Sequence, residues 1–319
     1  MPPLLEVREL TMHFSTLEGD VNAVDKVSFE LNRGESIGFA GESGCGKTSL
    51  GLTILKLLPS NAKILEGSVI FDGMDILRKS EEEVRQQVRW KRMAMVFQGS
   101  MNAFCPVHRI GDQIAEAIML HQNVSRAQAN KRVQEVLTLV GIDPSRANNY
   151  PHEFSGGMRQ RAMIAMALVC NPDFVIADEP TTALDVIVQA QILKLLVDLR
   201  EKLHLSFMLI SHDISTIADI CEKTAVMYAG KIVELADTLA IFRDPRHPYA
   251  KGLISAFPSI RGAKKRLSSI PGFPPDLLNP PKGCRFHPRC PTAMDVCQRQ
   301  EPEIRDLGRN HLVACHAVS

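Results

Sequence analysis

Apolar and polar positions alternate with period two along Leu4–Leu10 and Val24–Leu31, the pattern of half-buried strands, and Ser36–Ala40 reads as a short buried strand. Glycine then punctuates Gly41–Gly46, and Lys47–Leu58 takes helical spacing until Pro59 stops it. Val69–Asp72 and Met93–Gln98 predict further strands around a charged helical stretch, Ser80–Lys91. Between about 100 and 165 the strand signal fades. There Ser125–Val140 has an N-cap serine and sets Val133, Val136, Leu137 and Val140 on one helix face, with Gly141 as the stop. Strand-like Asp173–Ala177, Ser206–Ile210 and Thr224–Tyr228 then alternate with helical Val186–Leu203 and Ser215–Cys221. Such alternation predicts an α/β domain on a largely parallel, buried sheet. After about residue 257, Pro258, Pro271, Pro274, Pro275, Pro280 and Pro281 break any regular element, so a small Pro/Cys-rich tail is expected.

The composition sets bounds on this picture. A chain of 319 residues suggests about two domains. With 45% hydrophobic residues and a net charge of +1, it is too apolar and too nearly neutral for disorder. The balance of 37 basic against 36 acidic residues also argues against a surface built to grip nucleic acid. No apolar run reaches the roughly 18 residues a membrane span needs, and Met1–Arg8 lacks the basic start and apolar centre of a signal peptide. The expectation is a cytosolic chain, where cysteines serve as thiols or metal ligands rather than disulfides. Four of the eight cysteines (Cys284, Cys290, Cys297, Cys315) fall within residues 284–319, where uniform scatter would put about one.

Gly41-Glu42-Ser43-Gly44-Cys45-Gly46-Lys47-Thr48 fits the GxxxxGK[ST] phosphate loop in full. Its glycines let the backbone curl so that successive N–H groups point at phosphate oxygens, and the following helix adds its positive end. Lys47 supplies charge for the β- and γ-phosphates, and the Thr48 hydroxyl, followed by Ser49, can ligate Mg²⁺. Cys45, beside a helix N-terminus, is expected to have a lowered pKa and an alkylation-sensitive thiol. Downstream, Phe174-Val175-Ile176-Ala177 is an apolar strand ending in Asp178 and Glu179. In a parallel sheet that end faces the ligand, so Asp178 is read as a Mg²⁺ partner and Glu179 as the group that orients or deprotonates an attacking water.

Five motifs in order along the chain, the phosphate loop and four more, resemble the ATPase subunits of ABC transporters. Gln98 resembles the family's Q-loop residue, Phe154-Ser155-Gly156-Gly157-Met158-Arg159-Gln160 the signature, Ala183-Leu184-Asp185 the D-loop, and Ser211-His212-Asp213 the switch histidine. Met158 stands where the signature usually has Gln. The resemblance implies a P-loop NTPase (RecA-like) core with an antiparallel β subdomain and a helical subdomain at about 99–165. It also implies two subunits closing head to tail on two ATP molecules. Ser155, Gly156 and Gly157 of one subunit would then meet the γ-phosphate held by the other's Lys47. Gln98 would sense Mg²⁺ and water, His212 would hold the γ-phosphate, and Phe14 would stack on adenine.

The tail, Pro271-Gly272-Phe273-Pro274-Pro275 onward to Val313-Ala314-Cys315-His316, resembles the C-terminal extension of oligopeptide/dipeptide importer ATPases. The domains expected are thus 1–257, the ATP-binding domain, and 258–319, the extension. Peptide is the implied cargo, although oligosaccharide and nickel importers share the extension. The implied partners are a second ATPase, identical or paralogous, two membrane permease subunits and an extracytoplasmic solute-binding protein. The chain would sit at the cytoplasmic face of the membrane. A soluble ABC ATPase outside transport and a metal- or redox-sensing regulator are the competing readings. C-x5-C-x6-C-x17-C supplies four thiolates for a tetrahedral or cubane site. Related importers carry a [4Fe–4S] cluster on this pattern, which puts iron–sulfur first, Zn²⁺ second and plain thiols third. His287 and His316 are spare ligand candidates, with bystanders as the preferred reading.

Overall fold

A computed structural model describes residues 2–99, 103–256 and 270–318. They fall into two compact units: Met1–Asn32, Ser36–Leu77 and Ile210–Ser319 form the first, and Arg33–Glu35 with Arg78–Leu209 the second.

The first unit opens with an antiparallel sheet. Strand β1 (Leu5–Thr16) pairs with β2 (Gly19–Leu31), Leu5 facing Leu31 and Phe14 facing Val21. Both strands run longer than the alternation predicts, because hairpin pairing satisfies backbone groups beyond the apolar stretch. Strand β3 (Ser36–Ala40) is buried throughout and leads into the phosphate loop and helix α1 (Lys47–Ile54). The helix stops before Pro59. Lys56 turns left-handed at φ 55°. The Leu57 and Lys56 amides then bond the Leu52 and Thr53 carbonyls at 2.8 and 3.0 Å, which closes a Schellman motif. Strand β4 (Ala62–Phe71) flanks β1 on its other side, and β5 (Met74–Asp75) completes the order β2-β1-β4-β5.

The second unit holds α2 (Glu81–Gln87), closed by a Ser80/Glu83 capping box, and β6 (Met93–Val96). Helices α3 (Ile110–His121), α4 (Arg126–Leu139) and α5 (Gly156–Leu168) pack on one another. α3 has no side-chain cap at Arg109 and so no start signal in the sequence, yet it buries Ile110, Ile114 and Ile118 at a spacing of four. Strand β7 (Phe174–Asp178) runs parallel to β6, then α6 (Val186–Leu203) and β8 (Ser206–Ile210) follow, giving the order β8-β7-β6.

Back in the first unit, α7 (Ile214–Ile220) packs on β3, where a Cβ on Gly38 would lie 2.2 Å from Ile217. Strand β9 (Lys223–Tyr228) runs parallel to β3 and folds back as β10 (Lys231–Asp237), before the short helices α8 (Thr238–Arg243) and α9 (Pro248–Ser255). The tail differs from its expectation. It forms β11 (Ile304–Asp306) and β12 (Leu312–Ala314), and β12 pairs with β10. Both strands lie past Pro302, the last proline, where backbone donors are again continuous.

Candidate functional site

Phe14, Gly41–Ser49 and His212 belong to the first unit; Gln98, Ser155–Gly157, Asp178, Glu179 and Asp185 belong to the second. In the phosphate loop, Ser43 and Gly44 are exposed at its crest and Thr48 is exposed on α1. Gly46 has φ 103°, and a Cβ there would lie 2.0 Å from the Ala23 carbonyl oxygen. The crowding arises because the Gly230 amide bonds the Cys45 carbonyl at 2.9 Å, drawing the loop against the chain around it. Lys47 is buried, with Nζ donating to the Gly41 carbonyl at 2.7 Å and the Glu42 carbonyl at 3.1 Å. An ammonium held at the loop mouth suits it to meet phosphate oxygens.

Cys45 departs from its expected reactivity. The thiol is 3% exposed, and burial pushes its pKa up against the lowering pull of the Lys47 ammonium, 3.5 Å from Sγ. Desolvation of the thiolate outweighs both the cation and the helix end. Phe14 is half-buried on β1, between Val21 and Ala62. His212 is exposed two residues beyond β8.

In the second unit, Asp178 closes β7 and is 2% exposed. Glu179 follows at φ 45° and Ala183 at φ 66°, so the turn carries two non-glycine residues in the left-handed region. Thr182 Oγ1 donates to the Glu179 carboxylate at 2.8 Å, and Asp185 caps α6 through the Val188 amide at 3.0 Å. These bonds hold the turn in its uncommon conformation. Ser155 caps α5, its Oγ accepting from the Met158 amide at 3.3 Å. Gly157 lies where a Cβ would be 2.6 Å from Val188, which lets α5 approach α6. Gln98 is exposed two residues past the end of β6 rather than on the strand.

The four tail cysteines gather in space. The Cys284 amide bonds the Cys297 carbonyl at 2.8 Å. Burial pushes the Cys284 thiol up to about 11, with Cys297, Cys315 and Cys290 close enough to add to the shift. The Cys315 thiol is raised by burial and then by Cys290 and Cys297. Four thiolates on one tetrahedral ion lie about 3.8 Å apart, given metal–sulfur bonds of about 2.3 Å. Among the described residues, no group of three or more His, Cys, Asp or Glu side chains could hold a metal ion. His287 and His316, the spare ligands, instead bond the Cys284 and Gln300 carbonyls at 2.9 Å each.

Sequence reasoning missed Tyr249, which is fully buried on α9 and whose hydroxyl accepts the Glu42 amide at 2.9 Å. No spacing rule marks it, because its partner lies 207 positions away.

Comparison with known proteins shows the family. The ABC transporter family profile matches residues 24–182, and the oligopeptide/dipeptide transporter C-terminal region matches 233–297. The Bacillus subtilis dipeptide transport ATP-binding protein DppD is 46% identical over 99% of this chain and 95% of its own. The Escherichia coli oligopeptide transport ATP-binding protein OppD is 44% identical over 98% of this chain and 92% of its own. Among solved structures, a dimeric post-hydrolysis state of the ATP-binding cassette MJ0796 with ADP and Pi aligns with a TM-score of 0.65 and 26% identity. That alignment covers 73% of this chain and 98% of the cassette. Identity of this order over nearly the whole length places the chain among the ATP-binding, ATP-hydrolysing subunits of ABC transporters, in the branch that carries the oligopeptide/dipeptide transporter C-terminal region.

Proposed function

We propose that this ATPase powers the import of di- or oligopeptides through two partner permease subunits fed by an extracytoplasmic solute-binding protein. The observation that carries the reading is the C-terminal region matched at residues 233–297 together with a complete phosphate loop in the same chain. Among the described residues no helix is long and apolar enough to cross a membrane. Like the ATP-binding subunits it resembles, the subunit is proposed to dock peripherally on its permeases, on the cytoplasmic face.

The roles proposed for single residues follow their chemistry. Gly41, Ser43, Gly44, Cys45 and Gly46 offer backbone N–H groups, and Lys47 its ammonium, to the triphosphate. Thr48, Asp178 and Gln98 are oxygen donors suited to Mg²⁺, which supplies charge neutralisation when bound. Glu179 takes the proton of a water whose oxygen bonds the γ-phosphorus as the bond to the bridging oxygen of ADP breaks. His212 donates to the γ-phosphate, and Phe14 stacks on the adenine. Ser155, Gly156 and Gly157 are proposed to cap the γ-phosphate of a second subunit, with Asp185 beside that contact. Closure on ATP and release after hydrolysis then form a two-state switch. Residues 1–257 serve as the ATP-binding domain and 258–319 as its extension.

For the four cysteines we propose an iron–sulfur cluster, which four thiolates would hold and which would supply a cross-link. Cys284, Cys290, Cys297 and Cys315 are its proposed ligands, and the cluster would cross-link a tail with few regular elements. Iron and sulfide analysis of anaerobically purified protein tests this.

Transport is tested with the assembled complex in liposomes. ATP-dependent uptake of labelled dipeptide or oligopeptide is expected. Glu179→Gln should abolish uptake and reduce turnover at least about hundredfold while ATP still binds. Uptake of nickel or an oligosaccharide in place of peptide would overturn the cargo assignment.

A further inference from the structure

We infer that Arg289, a residue of the C-terminal tail, is a positioning residue for nucleotide binding: it neutralises and holds the Glu42 carboxylate inside the phosphate loop. The inference rests on the reading of Gly41–Thr48 as the ATP site.

The two residues lie 247 positions apart, yet the guanidinium grips the carboxylate at both oxygens. Nη1 donates to Oε2 at 2.6 Å and Nη2 to Oε1 at 2.9 Å. The Arg289 side chain is 5% exposed and that of Glu42 28%. Arg289 is itself anchored: Nε donates to the Pro271 carbonyl at 2.8 Å and Nη1 to the Tyr228 hydroxyl at 3.4 Å. Its guanidinium also lies 5.8 Å from the Tyr228 ring centre. Glu42 is held a second time by its backbone, through the Tyr249 hydroxyl. Tyr228 and Tyr249 pack at 4.6 Å with their rings tilted by 59°, and Phe286, three residues before Arg289, packs on both at 5.1 and 5.4 Å. One turn of the tail, between Cys284 and Cys290, thus supports the first residues of the loop.

The consequence is electrostatic. The loop binds a polyanion through backbone N–H dipoles and one lysine. A free carboxylate one residue after Gly41 would oppose that anion. Pairing with Arg289 cancels the charge, and the bidentate geometry fixes where the carboxylate points. A merely structural arginine would tie the tail to the core, and its loss would lower stability without weakening ATP binding.

That difference is the test. ATP binding to the full chain is measured by isothermal titration, with KM and kcat alongside. Arg289→Ala is expected to weaken ATP about tenfold and raise KM while leaving kcat close to wild type. Adding Glu42→Gln to Arg289→Ala is expected to restore affinity to within about threefold of wild type, since the opposing charge is then gone. Should Arg289→Ala not fold, Arg289→Gln reads the same quantity, because it removes the charge while keeping a donor for the carboxylate, and Glu42→Gln is added to it in the same way. Unchanged affinity in the single variant, or a double variant no better than the single, overturns the inference. A wild-type chain that binds no ATP overturns the loop assignment and the inference with it.

Discussion

The carboxylate of Glu234, on β10 and fully buried, accepts a 2.6 Å hydrogen bond from His311 Nε2 in the tail. The same carboxylate takes the Arg246 and His247 amides at the start of α9, each at 2.8 Å. Three donors satisfy one buried anion, so a leucine there would strand all three. Glu234→Leu is expected to lower unfolding free energy by about 3 kcal/mol or more, read by urea denaturation. A loss under about 1 kcal/mol would show that the carboxylate is dispensable.

His247, which caps α9 by accepting the Tyr249 amide at 3.0 Å, is 1% exposed. Burial pushes its pKa down from the ordinary 6.5 to about 3. Between those values the unfolded chain binds a proton that the folded chain refuses. Its contribution to stability is therefore intact above about pH 6.5 and falls as pH drops towards 3. At about 1.4 kcal/mol per pH unit, the loss at pH 5 is about 2 kcal/mol. His247→Asn keeps a capping acceptor without the titration and should lose that much less between pH 7 and 5. Equal losses in the two proteins would rule out this histidine as the cause.

Gly46 and Ala23 make a second close approach. The obstacle to a Cβ on Gly46 is the backbone oxygen of Ala23, which no side-chain rotation can move aside. Gly46→Ala should cost at least about 2 kcal/mol in stability and abolish ATP binding. Gly44→Ala, with φ 80° and nothing within 4 Å of the added carbon, should cost only about 1 kcal/mol. Thermal melts of the two variants check the ranking.

Thiol reactivity should follow burial rather than position along the loop. Cys105 is exposed while Cys45 is buried with its pKa raised. Brief iodoacetamide treatment followed by peptide mass spectrometry should find Cys105 modified and Cys45 intact, with or without ATP. Rapid loss of the Cys45 thiol from the native protein would contradict the burial argument.

Much of the site was legible because its geometry is local. A phosphate loop works within eight consecutive residues, and Asp178 and Glu179 lie at the end of one apolar strand. Spacing along the chain is spacing in space over such lengths. The α4 helix announced itself through Ser125, which caps it as side-chain chemistry requires, whereas the cap of α6 by Asp185 emerged only in the structure. The end of α1 did not, since a Schellman turn at Lys56 uses a residue whose sequence preference points elsewhere.

By itself, then, the sequence determined the nucleotide chemistry, the alternation of strands and helices in the core, and the surplus of cysteines near the C-terminus. Only the tertiary structure decided what the tail touches. Arg289 reaching Glu42, His311 reaching Glu234 and β12 pairing with β10 all join positions at least 77 residues apart. The structure also reversed the expected reactivity of Cys45, because desolvation depends on every atom packed around a group and not on its neighbours in the chain.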